Sequence, residues 1–290
     1  MSFIITILII TSLIVLVRVG YKNTKLVNVK HVHINKKSSE SKTTIHVLHI
    51  SDMHLENISI TPGELYDILK DEKIDLIALT GDFLDRKRSI PKMAKYLEVL
   101  NKLQPAYGSY AVFGNHDYVL NEKYFHELEQ LLKQYGVKTM RNTNDTLYVE
   151  GQAVNIVGID DYSTKRGNLD KSYENVNEKD YTLVLTHDPN IVLRMKKYHF
   201  DYFLSGHFHG GQICWPKPYQ LTKLGKMGKL PSMNIYKGLH YVYNRPYYIS
   251  EGLGQTGVNI RFGSQPEITI HHIKIPKQTK ENREKIVNVS

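Results

Sequence analysis

Five short polar clusters, each following directly on a short apolar run, constrain this chain more than any other feature. They are Asp52-Met53-His54, Gly81-Asp82, Gly114-Asn115-His116-Asp117, His187-Asp188 and Gly206-His207-Phe208-His209. The runs before them, His46 to Ile50, Asp75 to Thr80, Ser109 to Phe113, Thr182 to Thr186 and Tyr202 to Leu204, read as strands, as does Asn155 to Ile159. In open α/β sheets, ligands gather beyond the carboxyl ends of the strands, so residues far apart in sequence can converge there. A lone Asp-x-His is an ordinary surface turn. Five such clusters at five strand ends predict one composite site.

Helix signals lie between the strands. Thr61 precedes Pro62 to Lys70 as an N-cap with proline in the first turn, and Ser89 precedes Pro91 to Leu103 in the same way. Asn121 caps Glu122 to Tyr135, which Gly136 stops. Later segments, Gly238 to Ile249 and Glu267 to Ile275, are rich in Val, Ile, Tyr and Thr and add a second set of strands. Alternating strands and helices followed by further strands predict an α/β fold, a four-layer α/β/β/α sandwich with the site along one edge. At 290 residues the chain suits one catalytic domain. The expected organisation is a transmembrane anchor over 1–20, a linker over 21–44, the catalytic domain over 45–276 and a charged, disordered tail over 277–290.

The anchor expectation rests on Met1 to Val17, which carry no charged side chain. About 20 apolar residues span a bilayer comfortably and roughly 17 lie near the lower limit, so this run is short but workable if Arg18 snorkels. A signal peptide is the rival reading, but no Lys or Arg precedes the run and no small-x-small cleavage site follows it. Arg18, Lys22, Lys25 and Lys30 all lie after the run, which by the positive-inside rule places the catalytic domain on the cytoplasmic side of the cell membrane. The 38 Lys and Arg against 29 Asp and Glu give +9, a balance that suits phosphates, nucleic acid or an anionic membrane without choosing among them. A single cysteine, Cys214, excludes an intrachain disulfide and a Cys-rich zinc site.

Asp-x-His lets a carboxylate and an imidazole wrap one cation, while a carboxylate such as Asp82 can bridge two. The mixture of carboxylate, imidazole and amide oxygen suits Mn, Fe or Zn better than copper or calcium. Asp52-x-His54, Gly81-Asp82-Phe83-Leu84-Asp85-Arg86, Gly114-Asn115-His116-Asp117, His187 and Gly206-His207-x-His209 together resemble the full signature of the calcineurin-like metallophosphoesterases, in order, over roughly His46 to Ile275. Gly210-Gly211-Gln212-Ile213, Glu251-Gly252-Leu253-Gly254 and Ile260-Arg261-Phe262-Gly263 further resemble the bacterial membrane-associated branch related to lipid A precursor pyrophosphatases. Glu251 stands where that branch often has Arg.

The resemblance implies roles residue by residue. Asp52, His54 and His209 match ligands of a first metal, Asp82 the bridging carboxylate, and Asn115, His187 and His207 ligands of a second. His116 matches the group that meets the phosphoryl or leaving-group oxygen as electrophile or general acid, with Asp85 or Asp117 orienting it and Arg86 steadying the phosphate. Two divalent ions, manganese before iron or zinc, would then hold a hydroxide and neutralise the charge of the attacked phosphate. The other histidines, His31, His33, His46, His49, His126, His199, His271 and His272, read as satisfied core or surface residues.

The implied substrate is a lipid-linked or nucleotide-linked phosphoester or pyrophosphate met at the membrane lipid surface. A nuclease, a cyclic-nucleotide phosphodiesterase and a catalytically silent metal-binding scaffold are the alternatives. No compact nucleic-acid-binding module is legible, so no specific nucleic acid is expected. Trp215 to Tyr248 carries Lys217, Lys223, Lys226, Lys229, Lys237 and Arg245 without an acidic residue, with Leu221, Leu224, Met227 and Leu230 among them. That pattern is expected either to face the membrane or to cap the core.

Overall fold

The computed structural model describes residues 2–35, 42–214 and 227–276. Six strands form one sheet: β1 (Asn28–Asn35), β2 (Lys42–Ile50), β3 (Leu76–Thr80), β4 (Ser109–Val112), β5 (Val137–Thr139) and β12 (Glu267–Pro276), in the order β1-β12-β2-β3-β4-β5. The second sheet contains β6 (Thr143–Val149), β7 (Gln152–Gly158), β8 (Tyr181–Leu185), β9 (Tyr202–Ser205), β10 (Gly238–Val242) and β11 (Arg245–Ile249), in the order β10-β11-β9-β8-β7-β6. In each sheet the central strands run parallel, β2-β3-β4-β5 and β11-β9-β8-β7. Parallel strands deliver their carboxyl ends to the same edge, which is what gathers the polar clusters.

The two sheets pack face to face because their strands are apolar on both sides. Val47, Leu76 and Ala78 point between the sheets and meet Ile156, Leu183 and Leu204 from the other one. Their neighbours Leu48, Ile77 and Leu79 point outward onto the helices α2 (Pro62–Leu69), α3 (Ile90–Lys102) and α4 (Glu122–Gln134). On the far side, Val157, Val184 and Phe203 pack under the 3-10 segment Pro189–Lys197 and the short helix α6 (Lys229–Ser232), beyond a single-turn helix α5 (Leu169–Ser172). The period-2 alternation of two fully buried faces is the signature of a sheet covered on both sides. This is a mixed α/β fold of two stacked sheets.

The helix boundaries follow their caps. Thr61 accepts from the Glu64 amide while the Glu64 side chain accepts from the Thr61 amide, a capping box, and Asn121 accepts from the Tyr124 amide. Ser89 makes no such bond; α3 is entered instead from a 3-10 turn at Lys87–Ser89.

Two expectations need correction here. Residues 28–35, read as part of a linker over 21–44, form edge strand β1, paired in parallel with β12 from Asn28↔Glu267 to Asn35↔Lys274. The sequence hid it because its three apolar residues, Val29, Val32 and Ile34, do not alternate regularly; Lys30, which interrupts them, is held by Glu251 at 2.8 Å and Glu267 at 2.6 Å. Leu230, expected either to face the membrane or to cap the core, is buried in the outer core beneath Pro189–Lys197, so there the capping alternative holds. Leu221 and Leu224 lie outside the described residues, as does the tail over 277–290.

Helix α1 (Ser2–Asn23) is long and apolar enough to cross a membrane, and its side chains project away from the domain until Gly20. At 1.5 Å per residue its 22 residues reach about 33 Å, close to the thickness of a hydrocarbon core.

Because Ile156 is fully buried between the sheets, Ile156→Ala is expected to cost about 2–5 kcal/mol, read as a lower urea midpoint at unchanged slope. Tyr148→Ala, at a side chain 68% exposed, is expected to stay within about 0.5 kcal/mol of the parent.

Candidate metal centre

The carboxyl ends of β2, β3, β8 and β9 bring their polar clusters to one edge. Asp52, His54, Asp82 and His209 offer ligand atoms that all lie within 4.8 Å of one another, and so do Asp82, His187 and His207. Asp82 belongs to both groups. Its Oδ2 lies 3.5 Å from His54 Nε2 and 3.1 Å from His187 Nε2. On one side His54 Nε2 faces His209 Nε2 at 3.1 Å, with Asp52 Oδ1 3.4 Å from His209. On the other, His207 Nδ1 faces His187 Nε2 at 3.1 Å. All six side chains are buried or nearly so.

Neighbouring groups fix which ring nitrogens face inward. His187 Nδ1 donates to the Thr80 carbonyl at 2.8 Å, which leaves Nε2 as the ring nitrogen that faces Asp82. His54 Nδ1 lies 2.9 Å from Asp85 Oδ1, so Nε2 turns to the centre. Such outer hydrogen bonds set the tautomer and orientation of metal-binding imidazoles. A further observation points to cations: Asn115 Oδ1 is buried and has no hydrogen-bond partner among the described residues. A buried amide oxygen without a donor is costly unless something positive meets it. Convergent imidazole lone pairs, shared carboxylate oxygens and this amide oxygen form a donor set that fits two divalent ions.

Electrostatics agree. Burial alone would lower the His54 imidazole, but hydrogen bonds to Asp82 and Asp85 and their charges outweigh it and raise it to about 10. His187 is likewise raised against its burial, chiefly by the charge of Asp82. Burial opposes ionisation of Asp82, yet His187 and His54 hold it well below the usual carboxylate range. Burial and the His187 charge lower His207.

The backbone is bent to make this possible. Asp52, His54, Asp82, His207 and His209 all adopt positive φ, between 37° and 76°, a region that side-chain-bearing residues avoid. Strain of that kind persists only where surroundings over-determine it, and it collects at functional sites. Gly206 shows how tight the fit is: a Cβ there would lie 1.9 Å from Ser51 Oγ and 2.2 Å from Asp52 Oδ2.

His116 and Asp85 sit at the open side. Asp85 Oδ1 lies between His54 Nδ1 and His116 Nδ1, at 2.9 and 3.0 Å. His116 stands edge-on to His54 and is about one-third exposed. Burial lowers it, but the bond to Asp85 and the charges of Asp82 and Asp85 prevail and raise it. Asp117, expected to share the orienting role with Asp85, is placed elsewhere. It is fully buried, and its carboxylate accepts from the amides of Asp82, Phe83, Leu84 and Gly114. It ties two strand-end turns together and leaves His116 to Asp85. Burial and the Asp82 charge push Asp117 up to about 7 against those amide bonds. Arg86 is exposed at the rim, and its amide donates to Glu56 Oε1.

Two supporting residues escaped a role in the sequence reading. The Arg261 side chain is completely buried and donates to the carbonyls of His209, Glu251, Gly252, Gly254 and Gln265 and to Ser264 Oγ. It fastens the His209 turn to the loop after β11. Gln212 reaches across to the Thr256 and Val258 carbonyls. Their only sequence signal was a place in the flanking motifs. Glu251 is held by Lys30, Lys237 and Ser264.

Of the histidines read as structural, His49 and His271 lie fully buried, with His49 Nε2 2.8 Å from Thr80 Oγ1 and His271 Nδ1 2.8 Å from the Tyr202 hydroxyl. His31, His33, His46 and His272 form a row on the outer face of the first sheet.

The raised imidazoles set a pH dependence. Folded His54 keeps its proton to about pH 10, whereas an unfolded histidine releases it near 6.5. That proton therefore stabilises the metal-free fold fully below 6.5, and the contribution is lost as pH rises toward 10. The expected result is a metal-free urea midpoint that falls over this window. Metal must displace the same protons, so apparent affinity is expected to rise with pH, as indicator competition at about pH 6.5 and 8.5 would read.

Comparisons with known proteins agree with this geometry. Residues 45–211 match the family model described as calcineurin-like phosphoesterase. A Bacillus subtilis protein named uncharacterized metallophosphoesterase YkoQ is 57% identical over 272 residues, covering 92% of this chain and 99% of its own. A second protein from that organism, uncharacterized metallophosphoesterase YkuE, is 28% identical and covers 79% of this chain and 78% of its own. The Chlamydia trachomatis UDP-2,3-diacylglucosamine pyrophosphatase LpxG is 28% identical over 276 residues, 78% of this chain and 82% of its own. With its signature residues gathered into one buried cluster, and with a match over more than half its length, the chain belongs to the calcineurin-like phosphoesterases.

Proposed function

We propose that this metallophosphoesterase hydrolyses a lipid-linked or nucleotide-linked phosphoester or pyrophosphate at a membrane surface, using two divalent ions, with manganese the first choice. The observation that carries the chemistry is the sharing of Asp82 Oδ2 between the two ligand groups. In this reading Asp52, His54 and His209 hold one ion, Asn115, His187 and His207 the other, and Asp82 both. Bound ions of this kind lower the pKa of water toward neutrality and neutralise charge on an attacked phosphate.

The chain's own residues supply the rest. His116, with Nδ1 engaged by Asp85, is free to present Nε2 to the phosphoryl or leaving-group oxygen, and Asp85 orients the ring and favours its protonated form. Arg86 lies at the rim, one residue beyond Asp85, where it can meet a substrate phosphate. A groove of about 870 Å³ runs from His207 past Asp188, Asn190 and Tyr162, lined by Lys165, Arg194 and Lys229. Its size and its three cations suit a substrate larger than a bare phosphate.

The substrate class draws on two supports. LpxG acts on a lipid-linked pyrophosphate, as its name states, and α1 offers an apolar helix that can hold this chain at a membrane. Arg18, Lys22 and Lys25 at the end of that helix favour a cytoplasmic catalytic domain. A screen of the manganese-loaded protein against phosphomonoesters, diesters, nucleotide sugars and lipid pyrophosphates tests this part. Preference for soluble phosphomonoesters would refute it.

The division of roles predicts a division of mutant effects. Asp82→Asn and His54→Ala are expected to lose both metal and activity. His116→Ala is expected to keep its metal and lose turnover by about a hundredfold or more. Metal analysis alongside kinetics decides the matter: if His116→Ala empties the site, His116 is a ligand and the assignment is wrong.

A further inference from the structure

The join between α1 and the catalytic domain contains no free hinge. The Gly20 carbonyl accepts from the Arg261 amide at 3.0 Å, and Asn23 Nδ2 donates to the Arg261 carbonyl at 2.9 Å. Gly20 is buried, and a Cβ there would lie 2.7 Å from the Phe262 ring and 3.0 Å from Ile260 Cβ, so the helix backbone sits directly on this loop. Past the helix, Thr24 is buried with its hydroxyl 2.6 Å from Ser59 Oγ, and the Asn28 amide donates to the Pro266 carbonyl. Lys30 then pairs with Glu251 and Glu267. Between Gly20 and Lys30 the chain is thus tied to the loop between β11 and β12 at Gly20, Asn23, Asn28 and Lys30, and to Ser59 at Thr24.

That loop is also part of the metal centre. At one end Thr256 lines a cleft with Asn115, His116, His207 and His209, and Gln212 clamps Thr256 and Val258 beside it. At the other end the Arg261 side chain grips the His209 carbonyl while its backbone grips α1. Arg261 is five residues on from Thr256, so the cleft lies within about 18 Å of the helix end even along a fully extended chain. Around that end stand exposed apolar and cationic side chains. Tyr21, Leu26 and Val258 are each more than two-fifths exposed, and Lys22 and Lys25 lie among them. Apolar groups interleaved with lysines suit the headgroup layer of an anionic bilayer.

We infer that α1 is docked through Gly20 and Asn23 onto the 256–262 loop so that the metal centre opens toward the bilayer at the level of the lipid phosphates. The inference rests on the reading of α1 as a membrane anchor. It makes Arg261 a positioning residue with two faces, one on the His209 turn and one on the anchor. It also moves the membrane-facing surface from Leu230, which is buried, to Val258 and its neighbours.

The test uses the full chain carrying Cys214→Ser, reconstituted in vesicles of phosphatidylglycerol and phosphatidylcholine with a nitroxide quencher near the headgroup. Single cysteines at Leu13→Cys, Val258→Cys and Tyr148→Cys carry a fluorophore; Tyr148 lies on β6, at the end of the second sheet away from the site. Quenching at Val258 is expected to exceed that at Tyr148 several-fold, with Leu13 also quenched. Adding Gly20→Leu, or separately Asn23→Ala, is expected to reduce quenching at Val258 while leaving Leu13 unchanged. Hydrolysis of bis(p-nitrophenyl) phosphate reports whether each variant is folded. Quenching at Leu13 with Val258 no different from Tyr148 overturns the docking and spares the anchor. No quenching at Leu13 overturns both. Unchanged Val258 quenching in both dock variants overturns the role given to Gly20 and Asn23.

Discussion

Asp82 is a carboxylate buried at the seam where two sheets meet, and most of the surrounding structure answers the need to compensate its charge. An ionised carboxylate taken out of water costs several kcal/mol unless opposite charge and hydrogen-bond donors replace the solvent. Here Oδ1 takes the His116 amide, and Oδ2 faces two imidazole nitrogens. Those imidazoles are held by the Thr80 carbonyl and by Asp85, which lie on the same strand-end turn as Asp82 itself.

Holding such a cluster requires rigid support, and the fold supplies it in two ways. Parallel strands bring the ligand turns to one edge, and the turns are then locked by buried polar groups with no chemistry of their own. Asp117 collects four amides from two turns, and Arg261 collects five carbonyls and a hydroxyl from the other side. Each is a buried charged group surrounded by fixed dipoles, the arrangement in which truncating one partner is most destructive. The positive φ angles of five cluster residues are tolerated because these two staples leave the turns no alternative.

Much of this was legible in the sequence for a physical reason. Strand ends followed by Asp, His and Asn stand out because alternating apolar runs and metal-binding side chains are both local patterns. The five clusters therefore stood out together, and the ligand roles of Asp52, His54, Asp82, Asn115, His187, His207 and His209 followed from the family resemblance they carry. What stayed hidden depends on long-range packing. Strand β1 has a polar composition and is a strand only because β12 pairs with it, and Lys30 is acceptable there only because Glu251 and Glu267 meet it. Asp117, adjacent to His116 in sequence, looked like its partner, yet the turn points its carboxylate into the amides of the neighbouring strand ends. Nothing local to residue 261 says that a guanidinium will be buried there beside the end of α1.

In the proposed mechanism Asp82 would stand between two metal ions held by the two halves of the cluster. Crystals grown with manganese and measured at the manganese absorption edge test it most directly. Two anomalous peaks, about 3.5–4 Å apart and flanking Asp82, are expected, one among Asp52, His54 and His209 and the other among Asn115, His187 and His207. A single peak, or manganese bound away from Asp82, for example along the exposed row of His31 and His272, would contradict it.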